Sequence, residues 1–132
     1  MTIEEKRQKT RLRNIKWRMD NPQGYLQAAA KYRKNHPERL SAYKLKVKYN
    51  ITPAHYNELL TIQNNRCAIC GNAETFKHPS SNKTVKLAVD HCHTNGKVRG
   101  LLCMNCNRGL GKFHDDIVTL ENAIKYLRKF QS

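Results

Sequence analysis

Two C-x-x-C pairs, Cys67-Ala-Ile-Cys70 and Cys103-Met-Asn-Cys106, constrain this chain more than any other feature. A structural Zn²⁺ takes four soft ligands in a tetrahedron, and each pair supplies two sulfurs from one tight turn. Gly71 follows the first pair, where such a knuckle must turn sharply. The pairs are separated by 32 residues, more than in simple zinc ribbons, so a strand-bearing segment is expected between them. Buried free thiols or a redox C-x-x-C are the alternative; two pairs with knuckle-like surroundings favour zinc. In a domain this small the ion would contribute much of the folding free energy. The fifth cysteine, Cys92, is unpaired. An extended chain would turn it away from His91 and His93, so it is expected to be a small buried hydrophobe facing the core.

The chain of 132 residues is strongly basic, with a net charge of +15. The charge is uneven: residues 1–50 carry 14 Lys/Arg against 4 Asp/Glu, and residues 51–132 carry 11 against 6. A basic arm of this kind binds a polyanion. A membrane surface is the other partner of basic helices, but it calls for a continuous apolar face. Here Trp17, Tyr25, Tyr32, Tyr43 and Tyr49 are scattered among polar residues, which favours nucleic acid over membrane; a merely solvated helical arm is the plainer alternative. No apolar run is long enough for a membrane span and no signal peptide is visible. The expected location is the cytoplasm, where disulfides are uncommon and clustered cysteines point to metal.

Thr2 and Glu5 fit a capping box, so a helix is expected from near Ile3 to about Met19. Prolines at 22, 37 and 53 then mark a weak repeat. Each stands where the first turn of a helix tolerates it, predicting three short helices. The first two present Lys31, Arg33, Lys34, Arg39, Lys44, Lys46 and Lys48. The third has an apolar face of Tyr56, Leu59 and Leu60 and should pack on the domain that follows. That gives an arm over residues 1–46 and a second domain over residues 47–132. Strands are expected at Val85–Val89 and Val98–Cys103, joined by the turn Thr94–Lys97. A short helix is expected after Cys106, stopping near Gly109–Gly111. Asp115 and Asp116 should cap a last helix. Its stripe of Ile117, Leu120, Ile124 and Leu127 reads as core. The fold class is α+β, mostly helical.

Four closed thiolates cannot catalyse, yet Asp90, His91, His93 and Asn107 crowd the knuckles in sequence. Aspartate and an asparagine carbonyl are hard oxygen ligands, suited to Mg²⁺ or Mn²⁺. A histidine beside such an ion can take a proton from water near neutral pH. Together with a basic track, these are the parts for phosphodiester hydrolysis.

The stretch "LAVDHCHTNGKVRGLLCMNCNRGLGKF" resembles the phage recombination endonuclease VII group of the HNH, or ββα-metal, nucleases. The approach "KYNITPAHYNELLTIQNNRCAICG" is similar too. The resemblance covers roughly residues 47–130 and is strongest over Asp90–Gly111. It implies a small zinc-stabilised core of two strands and a helix around one divalent ion, with the knuckles as a clamp. Carried over residue by residue, Asp90 is implied as a metal ligand and His91 as the general base that activates water. Asn107 is implied as the second protein ligand of Mg²⁺ or Mn²⁺. The ion would polarise the scissile phosphate, leaving 5′-phosphate and 3′-hydroxyl ends. Neighbours on a regular strand face opposite ways; if Asp90 and His91 both reach one site, the strand must break its regularity there. His93 matches the family's second histidine, either supporting near the phosphate or a hydrogen-bonded structural residue. Arg99 is either a phosphate contact or a solvated strand charge. His114, Asp115 and Asp116 are expected to be loop and cap residues. Some members carry an acid three positions after the asparagine; here Leu110 stands there.

The implied function is a metal-dependent DNA endonuclease, phage-encoded and acting inside an infected bacterial host. It would nick or resolve duplex or branched DNA. Resolvases of the group are dimers that hold a four-way junction. No comparable C-terminal dimerisation segment is visible, which leaves a homodimer and Holliday-junction specificity open. Lys31, Arg33, Lys34, Lys44, Lys46 and Arg99 are the candidate DNA contacts. A non-catalytic zinc module that binds nucleic acid would use the same cysteines and arm, but has no need of Asp90, His91 and Asn107 together. An RNA-binding or RNA-cleaving protein is a third reading, since the arm's tyrosines could stack on single-stranded bases.

Overall fold

The structure is a computed structural model that describes residues 1–131. The chain divides into two compact units, Met1–Tyr43 and Lys44–Ser132.

The first unit holds two helices and most of a third. Helix α1 (Ile3–Asp20) starts on the expected capping box: Thr2 Oγ1 accepts from Glu5 N at 3.2 Å, and Glu5 Oε2 accepts from Thr2 N at 2.6 Å. Helices α2 (Pro22–Asn35) and α3 (Pro37–Tyr49) each begin on a proline. None of the three has a buried residue among those described. Polar and cation–π contacts link neighbours: Arg39 Nη1 donates to Tyr32 Oη at 2.9 Å, and Arg18 lies 5.1 Å from the centre of the Tyr25 ring.

The second unit is built around a small core of Ile51, Tyr56, Cys67, Leu87, Val89, Leu101, Leu102 and Cys103. Helix α4 (Pro53–Ile62) is capped by Thr52 and packs Tyr56, Leu59 and Leu60 against it. The buried Tyr56 hydroxyl donates to Leu87 O at 2.7 Å, which fixes α4 to the approach of the first strand. Burial alone raises the Tyr56 pKa above its ordinary value. Gln63, just past α4, bonds Leu101 as a neighbouring strand would. Its Nε2 donates to Leu101 O and its Oε1 accepts from Leu101 N, at 2.8 and 2.9 Å. Gly100 lies under the same side chain: an added Cβ would come within 3.1 Å of Gln63 Oε1.

Strands β1 (Ala88–His91) and β2 (Val98–Leu102) pair antiparallel. The first strand lies three residues further on than expected at its start, so Asp90 and His91 belong to it. Ala88, Val89 and Asp90 oppose Leu102, Leu101 and Gly100, but His91 opposes Val98. One step on β1 spans two on β2, which makes Arg99 the extra residue of a β-bulge.

Helix α5 (Met104–Lys112) begins earlier than the sequence suggests, because Cys103 is its N-cap. Cys106 and Asn107 therefore lie in its first turn. Gly109 and Gly111 do not stop it. The helix ends at Phe113, where His114 and Asp115 adopt left-handed backbones with φ of 54° and 56°.

Helix α6 (Ile117–Arg128) is capped by Asp116, whose Oδ2 accepts from Thr119 N at 2.8 Å. Its apolar stripe is not core: α6 has no buried residue, and Ile117, Ile124 and Leu127 are exposed. Cys92 also departs from expectation. It is half-buried in the hairpin turn, outside the core cluster, where its N–H donates to Lys97 O and its carbonyl accepts from Gly96 N.

Candidate functional site

The two knuckles converge. The sulfurs of Cys67, Cys70, Cys103 and Cys106 all lie within 4.8 Å of one another. Tetrahedral zinc with bonds of about 2.3 Å sets its sulfurs about 3.8 Å apart. The Cys70–Cys103 sulfurs stand 3.8 Å apart. The first knuckle turns through Gly71 at φ 69°, with Gly71 N donating to Cys67 O. The second is the start of α5.

The thiols are also tuned apart. Burial opposes a thiolate at Cys67, but backbone amides at Cys70, Cys103 and Ile69 outweigh it and take the thiol down to about 6. Burial, then the neighbouring sulfurs, push Cys106 up to about 12. One thiolate forms readily there; four need a cation among them. The donor set fits a structural zinc.

Glu74 braces this cluster. Its Oε2 accepts from Met104 N, the first amide of α5, at 2.7 Å, and its Oε1 accepts from Thr75 N and Phe76 N. An acid there satisfies an orphan amide and complements the helix dipole.

Beside the clamp lies a polar group of residues from both strands and the turn after α5. Asp90 is buried at the bulge. Arg99 grips it as a fork, Nε on Oδ2 at 2.7 Å and Nη2 on Oδ1 at 2.8 Å. The same Nη2 reaches Asp115 Oδ2 at 3.0 Å. The fork on Asp90, then the bond to Asp115, raises the guanidinium's pKa further against the cost of burial. His93 Nδ1 stands 3.4 Å from Asp115 Oδ2, with its side chain largely exposed. The His91 ring meets His93 edge-on at 5.0 Å and Tyr49 at 5.3 Å.

Asp90, His91, His93 and Arg99 are thus linked contact by contact. Asn107 is half-buried on α5, which packs against both strands, and its side chain makes no hydrogen bond among the described residues. Lys31, Arg33 and Lys34 on α2, and Lys44 and Lys46 on α3, are exposed. Arg99 is committed to two carboxylates, so a solvated strand charge does not describe it.

Carboxylate and amide oxygens are the donors a hard divalent ion takes, while imidazole is a softer ligand better suited to carrying a proton. A guanidinium already stands at Asp90, which is where such an ion's charge would be needed. Asp90 and Asn107 are oxygen donors of the kind Mg²⁺ or Mn²⁺ takes, but among the described residues only the four cysteines converge as a group of three or more His, Cys, Asp or Glu.

The model of the recombination endonuclease VII family matches residues 42–129. The chain belongs to that family. The Gene 59 protein of Mycobacterium phage D29 is 44% identical over 82 residues, 61% of this chain and 46% of that protein. The Gene 59 protein of Mycobacterium phage L5 is 41% identical over 80 residues, 60% of this chain and 44% of that protein. The chain spans somewhat under half the length of these curated relatives. No solved structure matches it.

In this endonuclease VII family chain, sequence reasoning missed four residues. Gln63 and Tyr49 act through contacts distant in sequence and carry no local signal. Glu74 is an acid just past a knuckle, with no spacing to mark it. Asp115 had a signal: a helix needs one cap, and Asp115–Asp116 offers two. Leu110 packs against the core.

Proposed function

We propose that this chain carries a DNA endonuclease centre of the ββα-metal, or HNH, type, which hydrolyses phosphodiester bonds to 5′-phosphate and 3′-hydroxyl ends. The observation that carries the reading is Asp90, a buried carboxylate at a strand bulge, placed next to His91 and beside a four-cysteine clamp that fixes the start of α5. Asp90 and Asn107 would hold Mg²⁺ or Mn²⁺. When bound, such an ion supplies Lewis-acid stabilisation of charge on the phosphate and the departing 3′ oxygen.

The remaining chemistry belongs to the side chains. The bulge at Arg99 on β2 lets the Arg99 side chain meet Asp90 across the ladder, whose regular pairing ends between Asp90 and His91. His91 takes the proton of the attacking water. Edge contacts from Tyr49 and His93 hold its ring in place while leaving it half exposed. Asp115 sits on His93 Nδ1, which orients that ring beside His91. The exposed lysines and arginines of α2 and α3 neutralise backbone phosphates and hold the substrate. Family membership and phage relatives support DNA as substrate, and an infected bacterial cell as the setting. One centre cuts one strand, so resolving a junction or breaking a duplex requires two copies or two visits.

Added Mg²⁺ or Mn²⁺ should make the zinc-loaded protein nick supercoiled plasmid. A panel of four-way junction, flap, nicked duplex, linear duplex, single-stranded DNA and RNA sets the substrate. A non-catalytic nucleic-acid-binding module is the second reading, favoured by the Arg99 fork that already neutralises Asp90. Tight binding to the panel with no cleavage of any member in Mn²⁺ would select it.

A further inference from the structure

Asp116 alone caps α6, so Asp115 has no capping work to do. It is turned inward instead. Its side chain is 16% exposed and takes Arg99 Nη2 at 3.0 Å and His93 Nδ1 at 3.4 Å. Two successive left-handed residues, His114 and Asp115, present it, a backbone conformation that non-glycine residues seldom adopt. Arg99 Nη2 stands between two carboxylates, bonded to each. Its Nη1 carries two more donors and makes no hydrogen bond among the described residues. The side chain is 38% exposed, so those donors are open to a ligand.

We propose that Asp115 is a positioning residue that keeps Arg99 in the site when a divalent cation takes Asp90, making Arg99 a displaceable counter-ion that then binds the substrate phosphate. This rests on the reading of Asp90 as a cation ligand. A buried carboxylate needs a counter-charge in every state. A guanidinium fork and a divalent ion on the same two oxygens of Asp90 repel each other at close range, so they compete for that carboxylate. With Asp115 present, the guanidinium leaves one carboxylate and keeps another, so the exchange strands no charge. The formal charges agree. Asp90, Asp115 and Arg99 sum to one negative charge; a divalent ion brings the site to one positive charge, which matches a phosphodiester. Arg99, anchored on Asp115 through Nη2, has Nη1 free for a bidentate or single contact to that phosphate.

The test is Mn²⁺ binding to the zinc-loaded full chain without DNA, followed by the electron paramagnetic resonance of free Mn²⁺. Asp115→Asn leaves Arg99 with Asp90 alone and should weaken Mn²⁺ binding about tenfold, the size of one charge-assisted hydrogen bond. Arg99→Met removes the competitor and should tighten binding. Adding Asp115→Asn to Arg99→Met should then change little, because the aspartate acts through the arginine. Zinc content and thermal midpoint report any general damage. Asp115→Asn that binds Mn²⁺ like the wild type overturns the proposal. So does an equal loss in the Arg99→Met background, which would make Asp115 a direct ligand, and so does Arg99→Met that fails to tighten binding. If wild type and Asp90→Asn both bind no Mn²⁺, the cation reading of Asp90 itself fails and takes this proposal with it.

Discussion

A glutamine side chain stands in for a neighbouring strand at one residue of β2. Gln63 satisfies both the N–H and the C=O of Leu101, the most buried residue of the core. Gln63→Ala would leave the Leu101 N–H unpaired in a half-buried place, while the Leu101 carbonyl keeps the Ala68 N–H at 3.0 Å. The expected cost is about 2 kcal/mol, read from urea unfolding of the zinc-loaded protein. An unchanged midpoint would mean that water serves Leu101 equally well. Residues of this kind were not legible in the sequence, because a side chain that bonds a backbone 38 positions away leaves no periodic trace. The cysteines and the Asp90–His91 pair were legible because their spacing is dictated by chemistry over a few residues. Asp115 lies between these cases: the duplicated acid was visible, but its inward turn depends on two left-handed backbones that no local pattern announces.

At the scale of elements, a zinc ion held by the four-cysteine cluster would do the work that a larger core does. The core has eight buried residues, two of them cysteines, which is too few for much independent stability. Cys70 makes the cleanest test, since it is exposed and removing it takes almost no apolar area from the core. Cys70→Ser should nonetheless lower zinc content and abolish cooperative thermal unfolding of the second unit, because metal binding and folding are linked. Full cooperativity with the zinc lost would show that the cysteines are incidental to the fold. Element types were readable from proline positions, caps and turns; element ends were less so. β1 reaches His91 because the ladder continues to the bulge, and α5 starts at Met104 because a cysteine and a distant glutamate cap it. The stripe of α6 reads as core by periodicity alone, yet that helix lies outside the buried cluster.

At the scale of the whole molecule, charge and fold are separable. Helices α1 to α3 hold no fully buried residue among those described and carry 14 of the chain's 25 lysines and arginines, with Leu45 and Tyr49 of α3 partly buried against the core. Their contribution is electrostatic, so deleting residues 1–46 should weaken DNA binding and flatten its dependence on salt, as fewer counterions are released. Unchanged affinity and slope in a titration from low to high salt would remove the arm from the account. The proposed cutting centre of Asp90, His91 and Asn107 lies wholly in the second unit, Lys44–Ser132, with the four cysteines. The direct measurement compares wild type and His91→Ala on one DNA substrate in Mn²⁺, with zinc content and DNA affinity determined on the same samples. The variant should keep its zinc and its affinity and lose cleavage by at least about a hundredfold, the scale of a general base. A variant that binds zinc and DNA normally and still cuts at the wild-type rate would contradict the proposed centre.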